Sequence, residues 1–199
     1  MFISFEGIDG SGKSTQARRL ARSLAEAGHD IVLTREPGGS RGAEEIRRLL
    51  VEGGGERWSP ETELALFTAA RRDHLERLIR PALARGATVI TDRFADSSRV
   101  YQGIARGAGQ ALVEELHRLL VGAEPDRTFL IDTPAETALA RAARGGGAED
   151  RYESLGLDFQ RRLRAGFLGL AREHPGRIRV IDGSGPEEVV AARVLAALP

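Results

Sequence analysis

Phe5-Glu6-Gly7-Ile8-Asp9-Gly10-Ser11-Gly12-Lys13-Ser14-Thr15 fits the phosphate-binding pattern G-x-x-x-x-G-K-[ST], with Gly7, Gly12, Lys13 and Ser14 in the fixed positions. Glycines let such a loop curl so that backbone N–H groups point at phosphate oxygens, and the N-terminus of a following helix adds partial positive charge. A lysine ammonium reaches the terminal phosphates and a serine hydroxyl can ligate Mg²⁺. The chain carries 29 lysines and arginines together, and Lys13 is the only lysine. Its compact, strongly hydrated charge does something a planar guanidinium does not. The stretch predicts binding of a nucleoside triphosphate.

Four further groups of residues have chemistry to offer. Leu64, Phe67, Leu75 and Leu78 recur at helical spacing, and Arg71 sits in the same apolar stripe. A guanidinium there needs a buried carboxylate, an exit to water, or a ligand pocket that it lines with Phe67. Polar residues crowd Arg35–Gly39 and Asp92–Gln102, each directly after a β-branched or apolar run. Arg144 to Arg151 encloses Gly145, Gly146 and Gly147, with Asp150 and Glu153 beside it, and reads as a candidate lid.

Other chemistries lack their residues. His29, His74, His117 and His174 show no metal-ligand spacing, and no cysteine is present for disulfides, thiolate catalysis or zinc. There is no G-x-S-x-G elbow and no G-x-G-x-x-G fingerprint, and a guanine-reading N-K-x-D is impossible with one lysine. The formal net charge of +0 gives no field toward nucleic acid or anionic membrane. Without a leader-like start or a membrane-spanning apolar run, the sequence is expected to be cytoplasmic.

These residues must be positioned by regular elements. Strands are predicted at Phe2–Phe5, Ile31–Leu33, Thr88–Thr91, Thr128–Asp132 and Ile178–Asp182. Helices are predicted from Ser14 to Gly28 on Leu20, Leu24 and Ala27, from about Gly42 to Val51 on Ile46, Leu49 and Leu50, and from Pro60 to Ile79 behind the Ser59 cap. Further helices are expected at Gln110–Leu120, from the Thr133–Glu136 capping box to Arg144, at Tyr152–Glu173 and at Glu187–Leu198. Strands alternating with helices mean a single α/β domain over residues 1–199, with a parallel sheet and ligands beyond the carboxyl ends of its strands.

With these motifs in this order, the chain resembles the bacterial thymidylate kinases over essentially its full length. The resemblance rests on the phosphate loop, Thr34-Arg35-Glu36-Pro37-Gly38-Gly39, Phe67-Thr68-Ala69-Ala70-Arg71, Asp92-Arg93-Phe94 with Ser97-Ser98, Tyr101-Gln102-Gly103, and Asp150-Arg151-Tyr152-Glu153. It implies a P-loop NTPase-type three-layer sandwich with five parallel strands and a short lid at about 141–153. It also implies transfer of phosphate from ATP to dTMP, giving ADP and dTDP, with Mg²⁺, in a homodimer. By that likeness Gly7 to Thr15 and Arg141 would bind ATP. Asp9, Arg35, Pro37, Phe67, Arg71, Arg93, Ser97, Ser98, Tyr101 and Gln102 would bind dTMP, with Phe67 stacked on thymine, Arg71 on its carbonyl edge and Arg93 on the phosphate. Tyr101 would crowd the sugar 2′ position. Ser14, Asp9 and Asp92 would surround the metal, and Lys13, Arg93, Arg144 and Arg151 would stabilise the transferring group. Ile8, Asp9, Gly10 and Ser11 fill the loop's variable positions without an arginine, so the lid would supply that charge. The rivals are another nucleotide or deoxynucleoside kinase with Glu6 or Asp92 as base, a P-loop ATPase coupled to a partner, and a binding protein without turnover.

Overall fold

The computed structural model describes residues 1–52, 57–145 and 155–198. The apolar runs form five strands: β1 (Phe2–Glu6), β2 (Ile31–Arg35), β3 (Thr88–Asp92), β4 (Arg127–Asp132) and β5 (Ile178–Asp182). They pair in the order β2-β3-β1-β4-β5, every pairing parallel, with Phe2 opposite Val89 and Ile3 opposite Arg127. Because β1 is central and the chain crosses from β3 to β4 over it, the carboxyl end of β1 lies where the winding reverses. That is where open parallel sheets bind ligands.

The helices are α1 (Lys13–Glu26), α2 (Arg41–Val51), α3 (Pro60–His74), α4 (Arg80–Ala84), α5 (Ala95–Ser98), α6 (Gln110–Leu116), α7 (Ala135–Gly145), α8 (Gly156–Glu173) and α9 (Glu187–Ala196). On one face of the sheet Ile3 and Phe5 pack with Ala17, Leu20, Val190 and Val194 of α1 and α9. On the other face Phe2 and Val89 meet Leu75, Ile79 and Phe94, while Leu130 meets Phe159, Leu163 and Phe167 of α8. The parallel sheet expected from the alternation and the three layers implied by the resemblance are both present.

Three helices continue into π-helical turns, Leu75–Ile79, Arg99–Ala105 and His117–Val121. The expected helix to Ile79 therefore runs unbroken through α3 but widens before α4. The segment from Ala95 to Ala105 carried no helical signal, because the face it buries is polar: Asp96, Ser97, Ser98, Arg99 and Gln102 are all inside. On α2 the buried residues are Ala43 and Leu50, and Leu49 points outward. Helix α8 begins at Gly156, and its expected start at Tyr152 lies outside the described residues. No described helix is long and apolar enough to cross a membrane.

The polar segment is tied to the sheet by a charge network. Arg99 donates to Asp96 at 2.8 Å, Glu114 at 2.8 Å and Glu124 at 2.5 Å, and Arg177 donates to Asp96 at 2.6 Å. Burial favours the neutral form of Glu124, but hydrogen bonds from His117 and Arg99 outweigh it and hold its carboxyl at about 2. Removing Arg99 takes from buried Asp96 one of its two arginines and from Glu114 and Glu124 the cation they share. Arg99→Met is accordingly expected to lower the unfolding free energy by about 3 kcal/mol, read from urea unfolding at neutral pH.

Candidate active site

The loop between β1 and α1 takes the curled form its glycines allow. Gly7, Gly10 and Gly12 have φ values of 142°, 76° and 97°. At Gly10 the reason is also contact, since a Cβ there would lie 2.0 Å from the backbone oxygen of Ala138 on α7. No side chain caps α1, so its first-turn N–H groups remain available to an anion. Lys13 is buried and its ammonium donates to Asp9 Oδ1 at 3.0 Å. The Ile8 side chain belongs to the core with Val100, Tyr101 and Leu130, which leaves only its backbone at the loop.

Asp9 gathers the cations. One oxygen accepts from Lys13 and Arg93, and the other accepts from the Tyr101 hydroxyl at 3.1 Å. Burial alone would raise its carboxyl, but the Arg93 and Lys13 charges beside it reverse the sign and hold it well below the usual range. Arg93 follows β3 in a left-handed conformation, φ 71°, uncommon for a residue with a Cβ. Its guanidinium donates to Ser97 Oγ at 2.9 Å, Tyr101 Oη at 3.0 Å and the Gly7 carbonyl at 3.2 Å. Behind this turn Glu6 accepts from the Phe94 N–H at 2.7 Å and from Ser97 Oγ at 2.6 Å. Burial first, then the Asp96 charge, pushes Glu6 up to about 7 against the opposing pull of Arg93.

Arg71 resolves the question its apolar stripe posed: it pairs with a buried carboxylate and also lines a pocket. It is 4% exposed and donates from Nε to Glu36 at 2.7 Å, to Ser98 Oγ at 3.0 Å and to the Phe94 carbonyl at 3.1 Å. His74, fully buried, donates to the other Glu36 oxygen at 3.1 Å. Three of the five guanidinium N–H groups are thus engaged, and two remain for a ligand carbonyl.

A cavity of about 320 Å³ collects these residues. Asp9, Lys13, Ser14, Pro37, Phe67, Arg71, Asp92, Arg93, Ser97, Ser98, Tyr101 and Gln102 line it, all singled out from sequence. It also takes Glu36, Arg47, Leu50 and Val51, none of which the sequence assigned to a site. Arg47 falls between buried Ala43 and Leu50 on α2 and donates to the Pro37 carbonyl at 2.8 Å. The signal that flagged Arg71, a cation on a helix's apolar face, was present there too. Gln102 is held by its amide donating to buried Glu63 at 2.8 Å.

Some expected residues lie elsewhere. Arg35 is half exposed, pairs with Glu44 at 2.8 Å and does not line the cavity. Arg141 donates to the Gly183 carbonyl at 3.3 Å, on the β5 side of the phosphate loop, and Arg144 is exposed, bonded to the Ala140 carbonyl at 3.0 Å. Asp150, Arg151, Tyr152 and Glu153 lie outside the described residues. Among the described residues no three His, Asp or Glu side chains form a ready metal cluster. The Ser14 hydroxyl donates to one Asp92 oxygen, while Asp92 Oδ1 is buried without a partner.

Comparison with known proteins supports the same family. The thymidylate kinase family model matches residues 5–194. Thymidylate kinase from Dinoroseobacter shibae is 68% identical over 98% of this chain and 95% of its own length. The one from Ruegeria pomeroyi is 62% identical over 98% and 92%. A crystal structure of thymidylate kinase from Ehrlichia chaffeensis superposes with a TM-score of 0.83 at 35% identity, covering 100% of this chain and 98% of that one.

The close approach of Gly10 to α7 gives a direct check on the loop. Gly10→Ala must push the loop off Ala138 and is expected to weaken ATP binding at least about tenfold, the effect of ~1.4 kcal/mol of lost contact, with dTMP binding retained. Calorimetric titration with each nucleotide measures both.

Proposed function

The chain belongs to the thymidylate kinase family and phosphorylates dTMP to dTDP with ATP as donor, and we propose that it does so with dTMP in the cavity between Phe67 and Arg93. The observation that carries this assignment is the pair of uncommitted Arg71 N–H groups beside Phe67 in a cavity that also holds Arg93 and Lys13. Phe67 offers a face for thymine, the Arg71 fork fits a carbonyl oxygen, and Arg93 suits the acceptor phosphate. Tyr101, pinned between Asp9 and Arg93, would crowd a 2′-hydroxyl. Arg47 adds a cation at the cavity that the acceptor can use.

The donor triphosphate is assigned to the loop from Gly7 to Thr15, with its adenine toward Arg141. An acceptor phosphate with its second pKa near ~6 is mostly dianionic at neutral pH and needs no general base. The catalytic work is in-line positioning and cationic stabilisation of the transferring group. We assign that to Lys13 and Arg93, completed by Arg144 and Arg151 from a lid at about 141–153. The deoxynucleoside-kinase rival needs a carboxylate base in the cavity. Glu6 does not line it, and the Asp9 and Glu36 carboxylates are already bound to cations. Asp92 does line it and keeps one oxygen unpartnered, so thymidine as acceptor is the test that separates the two readings.

Mg²⁺ takes oxygen ligands, and the unpartnered Asp92 Oδ1 beside the Ser14 hydroxyl is a donor set that fits it. Both Asp9 oxygens are engaged, so the proposal puts the metal on the Ser14–Asp92 side. When bound, the ion would neutralise charge on the donor phosphates. We also infer a cytoplasmic homodimer. The outward-facing Leu112, Leu119 and Leu120 on α6 and the turn after it offer an apolar face, and light scattering tests the dimer.

Two measurements test the reading. A panel of nucleoside monophosphates with Mg-ATP, followed by ADP release, should show a preference for dTMP, with thymidine inert. Equal rates with every acceptor, or steady hydrolysis with none, would refute it. Arg144→Ala or Arg151→Ala should cut kcat by about 10³ or more with little change in dTMP affinity. Wild-type turnover in both variants would remove the lid from the mechanism.

A further inference from the structure

Glu6 is 1% exposed, has no edge on the cavity, and is left unused by the mechanism above. It sits on the face of β1 that also carries Ser4, whose hydroxyl bonds Thr128 at 2.7 Å, and it faces the start of α5. Its two oxygens are divided between two groups of one turn, the Phe94 N–H at 2.7 Å and the Ser97 hydroxyl at 2.6 Å. A hydroxyl has a single proton. With that proton given to Glu6, Ser97 can only accept on its other side, where Arg93 donates to it at 2.9 Å. The neighbours of Glu6 hold the same turn: the Phe5 carbonyl accepts the Arg93 N–H at 2.9 Å, and the Gly7 carbonyl accepts from the guanidinium at 3.2 Å. Arg93 needs such holding, because its left-handed backbone is unfavourable unless the surroundings fix it.

We propose that Glu6 is a positioning residue for the acceptor: by fixing the Ser97 proton and the Phe94 N–H, it locks the Arg93 turn and aims that guanidinium at the dTMP phosphate. This rests on the assignment of Arg93 to that phosphate. A carboxylate tuned to about 7 resembles a general base, but this one has no contact with the cavity and reaches it only through Ser97 and Arg93.

The test is steady-state kinetics at pH 8 together with dTMP titration followed by Trp58 fluorescence. Trp58 is the only tryptophan, and its indole N–H bonds the Leu49 carbonyl at 3.0 Å, next to Leu50 and Val51 of the cavity wall. Glu6→Gln keeps an acceptor for Phe94, but its amide must donate to Ser97, which turns the hydroxyl proton toward Arg93. The expected result is a rise of about tenfold in KM and Kd for dTMP, the scale of one hydrogen bond to a charged group, with KM for ATP unchanged and the urea midpoint not lowered. Ser97→Ala should raise KM for dTMP similarly and keeps the proposal testable should the Gln variant fold poorly. Adding Glu6→Gln to Ser97→Ala should then change KM by less than about twofold, since the two act through one chain. A dTMP KM within twofold of wild type in either single variant, full additivity in the double, or equal loss for both substrates overturns the proposal. Arg93→Ala separates the two levels: if it abolishes dTMP binding while Glu6→Gln does nothing, only the role of Glu6 falls. If it leaves dTMP binding intact, the assignment of Arg93 falls as well.

Discussion

A buried carboxylate shared by two cations is the constraint on which the rest of this structure depends. Asp9 leaves the central strand on the phosphate loop and meets Lys13 from α1 and Arg93 from the end of β3. In the proposed assignment the first cation belongs to the donor side and the second to the acceptor side. One anion thereby fixes the placement of the two cations that the proposal turns toward phosphate. Two like charges in a poorly solvated site repel and each carries a desolvation cost, and the shared carboxylate offsets both.

The sheet topology makes that meeting possible. With every strand parallel and β1 central, the loops after β1 and β3 emerge side by side, and Phe5 lies opposite Asp92. β1 serves both faces. Ile3 and Phe5 anchor α1, whose first turn carries Lys13, and the alternate residues Ser4 and Glu6 turn polar groups toward α5 and the Arg93 turn. A strand buried on both sides is ordinarily apolar throughout. Here the polar half of the alternation joins the Arg93 turn, and with it Ser97, to the sheet.

What could be read from the sequence follows from how local each cause is. The phosphate loop was legible because its backbone geometry demands particular residues at particular positions. The strands were legible as short apolar runs, and Arg71 stood out as a cation among leucines. The segment from Ala95 to Ala105 was not, because periodicity detects apolar faces and this helix buries a polar one whose partners, Glu6, Arg177 and Glu124, are distant in sequence. Glu36 was visible within its motif, but its role as the clamp of Arg71 and His74 exists only once α3 packs against the loop after β2. Arg47 was missed although its spacing carried the same signal as Arg71.

The solitary lysine has a practical consequence. A lysine-specific endoprotease has one place to cut this chain, and that peptide bond lies in the first turn of α1 with the Lys13 side chain buried. Cleavage must wait until the phosphate loop and α1 come away from the sheet. Digestion would yield two fragments, and their rate of appearance would clock the opening of the phosphate loop and α1 without label or substitution.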